Sequence, residues 1–464
     1  MKRLDIAQIA EGVKGTISAG RKDDTVSSVS TDSRTAGSED VFFPLKGENH
    51  DAHDFIPQAL EQGCRTFVVS RRDAIDDLRK KQDVNVIEVS DTTRALQDLA
   101  SYYLDILGIR KIAVTGSTGK TTTRDMLKCM LSRKYKTYCN EGNLNNHIGV
   151  PLTVLSIEED AQVGVFEMGM DHFGEIHALA DIVRPDTGVI TNIGVSHMEN
   201  LGSRDGIFQA KMEITDFFGK ENTLVVYEDD EYLNRDKIKG EYRLITAGTN
   251  GRCDFIVSHL RDRGTDGISF MLEHNEEAQT FELSVPGAHN AFNAAAAAAA
   301  ASLEGITLSE AAEALKSLQL TDKRLSVKVN NGIKVIDDTY NASPSSMKSA
   351  LDALASTKGI RKVAILGDMY ELGDDSSAFH REVGSYAAGR GIDLLVAVGE
   401  LSEEIKNGAL CSMDAEHVIY YRKKEDFMKV MKNIIKKGDV VLVKGSNGMG
   451  MFDIVDEIMK RQEQ

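Results

Sequence analysis

Positive charge is scarce in this chain. Its 464 residues carry 55 Lys and Arg against 72 Asp and Glu, a formal net charge of -17. Nucleic-acid binders neutralise phosphates with clustered cations, so this balance argues against such a partner. Cysteine is also scarce. The five residues Cys64, Cys129, Cys139, Cys253 and Cys411 are scattered, and none forms a C-x-x-C pair. That argues against a disulfide framework or zinc site and for reduced thiols in a cytoplasmic setting. Only six prolines occur, which excludes stiff Pro-rich linkers. No apolar run approaches a membrane span, and Met1-Lys2-Arg3-Leu4-Asp5 opens no signal-peptide core. The alanine run from Ala294 to Ala301 is too short and too small for a membrane helix. It suits a tightly packed interior helix instead.

The length calls for roughly two to four domains. Three blocks separate. The first has short strand-like runs at Val41-Phe42-Phe43, Phe67-Val68-Val69 and Val84-Asn85-Val86-Ile87, then a helical stretch from Thr92 to Leu107. In the second, the apolar runs Lys111-Ile112-Ala113-Val114, Val163-Gly164-Val165-Phe166 and Gly188-Val189-Ile190-Thr191 alternate with helical segments, which predicts a parallel sheet. Gly267-Ile268-Ser269-Phe270 and Phe281-Glu282-Leu283-Ser284-Val285 predict a small antiparallel addition. The third block, from about Leu320, alternates four further strands with helices. They are Val335 to Asp338, Val363 to Leu366, Leu394 to Val398 and Val440 to Val443, a doubly wound α/β pattern.

The most informative run is Thr115-Gly116-Ser117-Thr118-Gly119-Lys120-Thr121-Thr122, which joins a strand to a helical segment. Loop N–H groups and a helix N-terminus make a phosphate cradle there. Lys120 neutralises phosphate and Thr121 offers a hydroxyl to Mg²⁺. The first glycine of the common G-x-x-x-x-G-K-[ST] pattern is absent, because its position is Val114.

Other polar residues fall where strands end, the place where open α/β sheets bind ligands. Glu167 closes one strand and suits Mg²⁺ beside a phosphate loop. Read alone, Glu167 is a solvated strand end, His197 a structural histidine and Lys211 a surface lysine paired along its helix. Asn290 and Asn293, three apart at the start of the alanine helix, can offer amide groups to an adenine edge, or Asn290 can simply cap the helix. Asp337 and Asp338 end a strand of the third block, and only one of two adjacent side chains points to a given face.

In order, the phosphate loop, Gly142-Asn143-Leu144-Asn145-Asn146, Glu167, His197, Lys211, Gly287-Ala288-His289-Asn290-Ala291-Phe292-Asn293, Arg324 and Asp338 resemble the Mur ligase family, ATP-dependent amide ligases of peptidoglycan synthesis. Asp32-Ser33-Arg34 and Val41-Phe42-Phe43-Pro44-Leu45-Lys46-Gly47 resemble that family's UDP-sugar domain, so the resemblance spans the chain. It implies an α/β protein of three domains. These are a small UDP-sugar-binding domain over residues 1–105, a central P-loop parallel-sheet ATP-binding domain over 106–318, and a C-terminal Rossmann-like doubly wound domain over 319–464. It implies ATP and two Mg²⁺ ions. Lys120, Glu167, His197 and Lys211 would be catalytic. Gly116, Ser117, Thr118, Gly119, Lys120, Thr121 and Thr122 would hold the phosphates, joined at the nucleotide by Asn290, Asn293, Arg324 and Asp338. Thr121, Glu167, His197 and a carbamylated Lys211 would hold metal. Ser33, Arg34, Lys46, Gly47, Asn145, Asn146, Tyr340, Asn341, Lys444 and Ser446 would bind substrate.

The reaction so implied joins D-alanyl-D-alanine to UDP-N-acetylmuramoyl-tripeptide through an acyl phosphate, in a monomer that closes its domains around the site. Three departures stand out. Asn447 and Gly450 replace arginines that members of the family carry, Lys323 replaces a glycine before Arg324, and Ala52 replaces the glycine of an Asp-Gly-His run. The first leaves open a Mur-type ligase with another amine acceptor. A non-catalytic nucleotide-binding paralogue is the rival from another class, and the joint presence of Lys120, Glu167, His197 and Lys211 argues against it. The first block's signals argue against a folylpolyglutamate synthase-like enzyme.

Overall fold

Three large β-sheets and one two-stranded sheet form among the described residues of the computed structural model, which are 1–321 and 323–460. The first has five strands, ordered Thr16–Ala19, Asn85–Glu88, Thr66–Val69, Asp40–Phe42 and Ser28–Ser30. Its last four pair in parallel, while Thr16–Ala19 is an antiparallel edge. Leu4–Asp5 and Thr25–Val26 form a separate antiparallel pair.

The helix Thr92–Leu107 then leads to the central sheet. Asp91 caps it by accepting from the Arg94 N–H, and Gly108 ends it in the left-handed region at φ 59. Its buried face, including Leu96, Leu99 and Tyr103, joins one hydrophobic core with Val150, Val154 and Ile157 of the central unit. The Tyr103 hydroxyl donates to the Ile157 carbonyl at 2.7 Å, so this helix is shared between the two units.

The central sheet has nine strands. Seven run in parallel, in the order Thr137–Cys139, Val163–Glu167, Arg110–Thr115, Thr187–Ile190, Thr223–Tyr227, Arg243–Gly248 and Phe255–Asp262. The expected antiparallel addition is present as Ile268–His274 and Glu277–Leu283. Chain order reverses around Arg110–Thr115, which places the phosphate loop at a topological switch point. Ala294 to Ala301 are all buried, inside the helix His289–Leu303. Methyl side chains let that helix pack closely beside Lys120–Leu131 in the same core.

The third sheet is ordered Ser326–Asn330, Ile333–Asp338, Asp439–Lys444, Arg361–Gly367, Leu394–Val398 and Val418–Tyr421. Two of its strands escaped the sequence reading. Ser326–Asn330 is an antiparallel edge that alternates half-buried and exposed residues, and Val418–Tyr421 is only half-buried. Neither has the continuous apolar run of a strand covered on both faces. No helix among the described residues is long and apolar enough to cross a membrane.

Candidate active site

The phosphate loop is built by two glycines whose place no other residue could take. Gly116 has φ +149, and a Cβ there would stand 1.8 Å from Thr191 Oγ1. Gly119 has φ +81, and a Cβ would meet Asn293 Oδ1 at 2.6 Å. The chain thus turns at Gly116, directly after the strand, and Val114 stays inside the sheet where a longer loop would need glycine. Asn192 fixes the loop from the next strand. Its Oδ1 accepts from the Thr118 N–H at 3.1 Å, while its Nδ2 donates to the Thr118 carbonyl and hydroxyl, both at 3.0 Å.

Lys120 opens the helix Lys120–Leu131. Its ammonium folds back to donate to the Gly116 carbonyl at 2.8 Å, so it is not an exposed loop cation. Burial lowers its pKa; Glu167 opposes that shift and Arg324 adds to it.

Thr121 donates to Glu167 Oε2 at 2.8 Å, and Asn145 Nδ2 donates to the other carboxylate oxygen at 2.8 Å. Asn140 pins the Glu167 backbone, donating to its carbonyl and accepting from its N–H, each at 2.8 Å. Glu167 is 2% exposed, a buried carboxylate rather than a solvated strand end. Adjacent ligands on an octahedral Mg²⁺, with bonds of about 2.0–2.1 Å, lie roughly 3 Å apart, so the Thr121 and Glu167 oxygens fit that ion.

Beyond them opens a cleft of about 620 Å³ shared by the central and third sheets. The central side supplies the loop from Ser117 to Thr122 with Asn145, Asn146, Glu167, His197, Asn290 and Asn293; the third supplies Arg324, Asp338, Tyr340, Asn341, Lys444 and Ser446. Asn290 lies within its helix and donates to the Pro286 carbonyl at 2.7 Å, so capping is not its role. Asn293 donates to Asn290 Oδ1 at 3.0 Å.

Arg324 stacks its guanidinium 3.8 Å from the Tyr340 ring centroid, and its buried Nε has no hydrogen-bond partner among the described residues. Lys323 and Leu325 on either side sit at φ 65 and φ 50. Glycine adopts that left-handed region most readily, so a lysine at 323 carries strain of about 1–2 kcal/mol. Lys444 donates to Asp338 at 2.5 Å and to the Asn341 carbonyl at 2.8 Å. Asp337 faces the other way, accepting from Lys328 at 2.8 Å and from the Thr339 hydroxyl at 2.7 Å.

His197 Nδ1 lies 3.0 Å from Asp171 Oδ1 and 3.0 Å from Glu371 Oε2. Lys211 does not line the cleft; it is 1% exposed, on the helix Arg204–Met212. Burial, then repulsion from Lys120, pushes its pKa well below the ordinary lysine value.

Residues expected from the first block lie outside this cleft. Ser33 donates to Gln58 at 2.7 Å, Arg34 is exposed and pairs with Asp32 at 2.6 Å, Lys46 bridges to Asp51, and the Gly47 N–H donates to the His50 carbonyl at 2.9 Å. The site described by the structure is therefore built from two of the three blocks.

Sequence reasoning missed Arg124, Asp125, Asn140, Asn192, Asp171 and Glu371. Arg124 is 2% exposed and spans from Glu167 at 3.3 Å to the Thr321 hydroxyl at 3.1 Å. A basic residue directly after the loop threonines was its only signal.

A phosphate loop at a switch point, an acid poised for metal and a facing doubly wound sheet define a nucleotide-dependent ligase architecture. The chain belongs to the Mur ligase family. Three family models match along it: "Mur ligase family, catalytic domain" over 25–104, "Mur ligase middle domain" over 114–301, and "Mur ligase, glutamate ligase domain" over 323–447. Among its relatives is the UDP-N-acetylmuramoyl-tripeptide–D-alanyl-D-alanine ligase of Bacillus subtilis (strain 168), 40% identical over 463 residues and covering 99% of both chains. The crystal structure of MurF from Acinetobacter baumannii superposes with a TM-score of 0.91 at 31% identity, covering 99% of this chain and 100% of that one. The MurF ligase of Thermotoga maritima, solved in complex with ADP, gives 0.82 at 28%, covering 93% and 97%.

Proposed function

We propose that this chain uses ATP to join D-alanyl-D-alanine to UDP-N-acetylmuramoyl-tripeptide. The observation that carries the reading is the Thr121–Glu167 pair beside the phosphate loop, facing Arg324 and Asp338 across one cleft. Full-length likeness to the Bacillus subtilis ligase supports the choice of substrates.

In the first step a carboxylate oxygen of the tripeptide attacks the γ-phosphorus of ATP. The bond to the β-phosphate oxygen breaks, and ADP leaves. In the second, the dipeptide amine attacks the acyl carbon, phosphate leaves with the bonding pair, and the amine loses its proton. The loop N–H groups and Lys120 hold the transferring phosphoryl group and offset its charge. Thr121 and Glu167 would hold Mg²⁺, which would supply further neutralisation of negative charge during phosphoryl transfer. Arg324 and Asp338 reach the nucleotide from the third sheet, and the cleft wall keeps water from the acyl phosphate.

Asn290 and Asn293 flank the nucleotide, while Asn145, Asn146, Tyr340, Asn341, Lys444 and Ser446 contact the peptide substrates. Ser33, Arg34, Lys46 and Gly47 serve the uridine-diphosphate end. Arg34 then exchanges Asp32 for phosphate, a transfer between two exposed partners that costs little. Lys211 is carbamylated. A buried, neutral amine is the form that attacks CO₂, and the resulting carbamate is an anionic oxygen ligand. We place the domain boundaries near residues 105 and 318.

The test is phosphate release with ATP, Mg²⁺, UDP-N-acetylmuramoyl-tripeptide and a panel of amines. Release with D-alanyl-D-alanine, and its loss by at least about a hundredfold in Lys120→Ala, is expected. Release with another amine but no D-amino-acid dipeptide overturns the acceptor. Undiminished ligation by a folded Lys120→Ala protein overturns the site.

A further inference from the structure

Three strands of the third sheet, Ile333–Asp338, Asp439–Lys444 and Arg361–Gly367, run in parallel, and Asp338 and Lys444 bring their carboxyl ends to the cleft. Their amino ends open at the opposite pole, where an apolar tip stands among cations. Ile360 is 87% exposed there, on the turn that enters Arg361–Gly367. We propose that this pole is an interaction surface for an anionic lipid bilayer, met by Ile360 and the lysines around it while the cleft stays open to water. The inference goes beyond the ligase reading and does not depend on it.

The tip is held in place. The Ile360 N–H donates to the Gly438 carbonyl at 3.3 Å. Gly438 sits at φ +94, and a Cβ there would stand 2.7 Å from Ile360 Cδ1. Gly359 is as tightly placed, since its Cβ would stand 2.3 Å from Val440 Cγ2. The Gly438 N–H donates in turn to the Gly332 carbonyl at 2.9 Å, and the Lys437 side chain lies across Gly332. The turns that carry Ile360 and Lys437 are thus one bonded unit. An aliphatic side chain presented from it needs little further ordering on binding.

The charge around the tip is positive. Lys358, Lys436 and Lys437 are exposed and make no ion pair among the described residues. Asp439, next to them in the chain, is buried and already taken by Arg361 at 2.7 Å. The central unit extends the surface with the exposed Arg263, on a hairpin tip that abuts this pole. There the Thr265 N–H donates to Thr357 Oγ1 at 3.0 Å, and Lys334 Nζ donates to Thr265 Oγ1 at 2.9 Å. Val329, 64% exposed, stands opposite Lys334 in the strand ladder and so shares its face. Asp266 and Asp393 are exposed acids beside the surface. The whole chain carries a net charge of -17. Screening confines an interfacial field to about 8–10 Å, however, so a bilayer facing this pole senses its lysines and not the acids elsewhere. A protruding aliphatic side chain among lysines suits a deformable anionic surface, whereas a folded protein partner would need a matching pocket for it.

The chain contains no tryptophan, so Ile360→Trp places a single indole fluorophore at the tip. The full chain is sedimented with vesicles of phosphatidylcholine, alone or mixed equally with phosphatidylglycerol, at low and at high salt. The wild type should pellet only with the mixed vesicles and be released by salt. Lys436→Gln combined with Lys437→Gln should weaken binding by about twenty-fivefold, roughly fivefold per lysine. Ile360→Ser should weaken it by about tenfold. The emission of Ile360→Trp should shift to the blue on the mixed vesicles. Ligation in solution should be unchanged in every variant, because none of these residues lines the cleft. No pelleting by the wild type, equal pelleting by the lysine variant, or unshifted emission from pelleted Ile360→Trp each overturns the inference. Capture by polyglutamate but not by the vesicles overturns it in favour of an acidic protein partner. Absence of ligation by the wild type overturns the ligase reading alone.

Discussion

The carboxylate of Asp125 takes both the backbone N–H and the hydroxyl of Thr321, at 3.0 and 2.8 Å, across 196 positions of sequence. Thr321 lies on the chain leading from the central unit to the third sheet. Arg124 completes the clamp by reaching Thr321, Asp125 and Glu167 at 3.1, 2.7 and 3.3 Å. One buried guanidinium thus ties the metal-poised acid to the inter-sheet connection.

Arg124→Met should therefore destabilise the protein strongly, by about 3–5 kcal/mol, because it removes the guanidinium paired directly with the buried Glu167. Mg²⁺ with nucleotide supplies that charge in its place. The loss in Tm should be clearly smaller with Mg²⁺ and ADP than without, after correction for the ligand's effect on the wild type. Equal losses under both conditions would show that Arg124 acts on the linker alone.

How far the sequence carries depends on where the interactions lie. The phosphate loop was legible because Gly116, Gly119, Lys120 and Thr121 act within one short run, and local chemistry fixes it. The core strands were legible from their apolar runs. Arg124 was not, because its meaning comes from Glu167 and Thr321, 43 and 197 positions away. Asp171 and Glu371 were hidden for the same reason, since only the meeting of two sheets brings them to His197. The edge strand Ser326–Asn330 lacked signal because one side of it faces water. Lys211 was recognisable by family resemblance, but its burial was not, since nothing in its helix distinguishes it from a surface lysine.

Lys211 leads to a second prediction. Its folded-state pKa lies well below 10.5, so the neutral amine persists in the folded protein far below the pH at which a free lysine protonates. Unmodified, Lys211 costs stability increasingly as pH falls below the unfolded value, until the folded group protonates too. Carbamylation converts it to an anion beside Lys120. Depleting bicarbonate should lower ligation reversibly. Lys211→Ala should be largely inactive, with partial recovery on adding short carboxylates that supply the missing oxygen. Full activity in Lys211→Ala would remove the carbamate from the mechanism.

A third concerns acid. His380 is fully buried, its Nδ1 facing the Ser376 carbonyl at 2.7 Å while Nε2 accepts from the Met369 N–H. Burial lowers its pKa from 6.5, against the opposing pull of the Ser376 carbonyl, Asp368 and Glu404. The folded value lies below the unfolded one, so the unfolded chain binds the proton first. Stability from this group is complete above about pH 6.5 and is lost as pH falls below it, at up to about 1.4 kcal/mol per pH unit. His380→Gln keeps an acceptor for Met369 and does not titrate. Its urea-denaturation free energy should fall less steeply than the wild type's between pH 6.5 and 5, and identical slopes would exclude His380 as the cause.

The last prediction concerns the acceptor. Asn447 and Gly450 stand where the family carries arginines, and the structure separates the two positions. Gly450 has φ +61, and a Cβ there would stand 2.9 Å from Lys424 Nζ. That ammonium already spends its three donors, on the Met449 carbonyl at 3.0 Å, the Gly450 carbonyl at 2.8 Å and Asp453 at 2.6 Å. Lys424 therefore shapes the turn and has no donor left for a substrate carboxylate. Asn447 is different: it is exposed on the cleft wall, in the short turn Asn447–Met449, with backbone geometry open to any side chain. A charge-assisted hydrogen bond contributes roughly 1.5–3 kcal/mol, which corresponds to about a ten- to hundredfold change in affinity. Asn447→Arg should lower KM for D-alanyl-D-alanine by up to that factor, with KM for ATP unchanged. Gly450→Arg should instead cost about 1–2 kcal/mol of stability through its left-handed backbone and bring no gain in KM. If Asn447→Arg leaves the dipeptide KM where it was, the dipeptide carboxylate does not bind beside this turn.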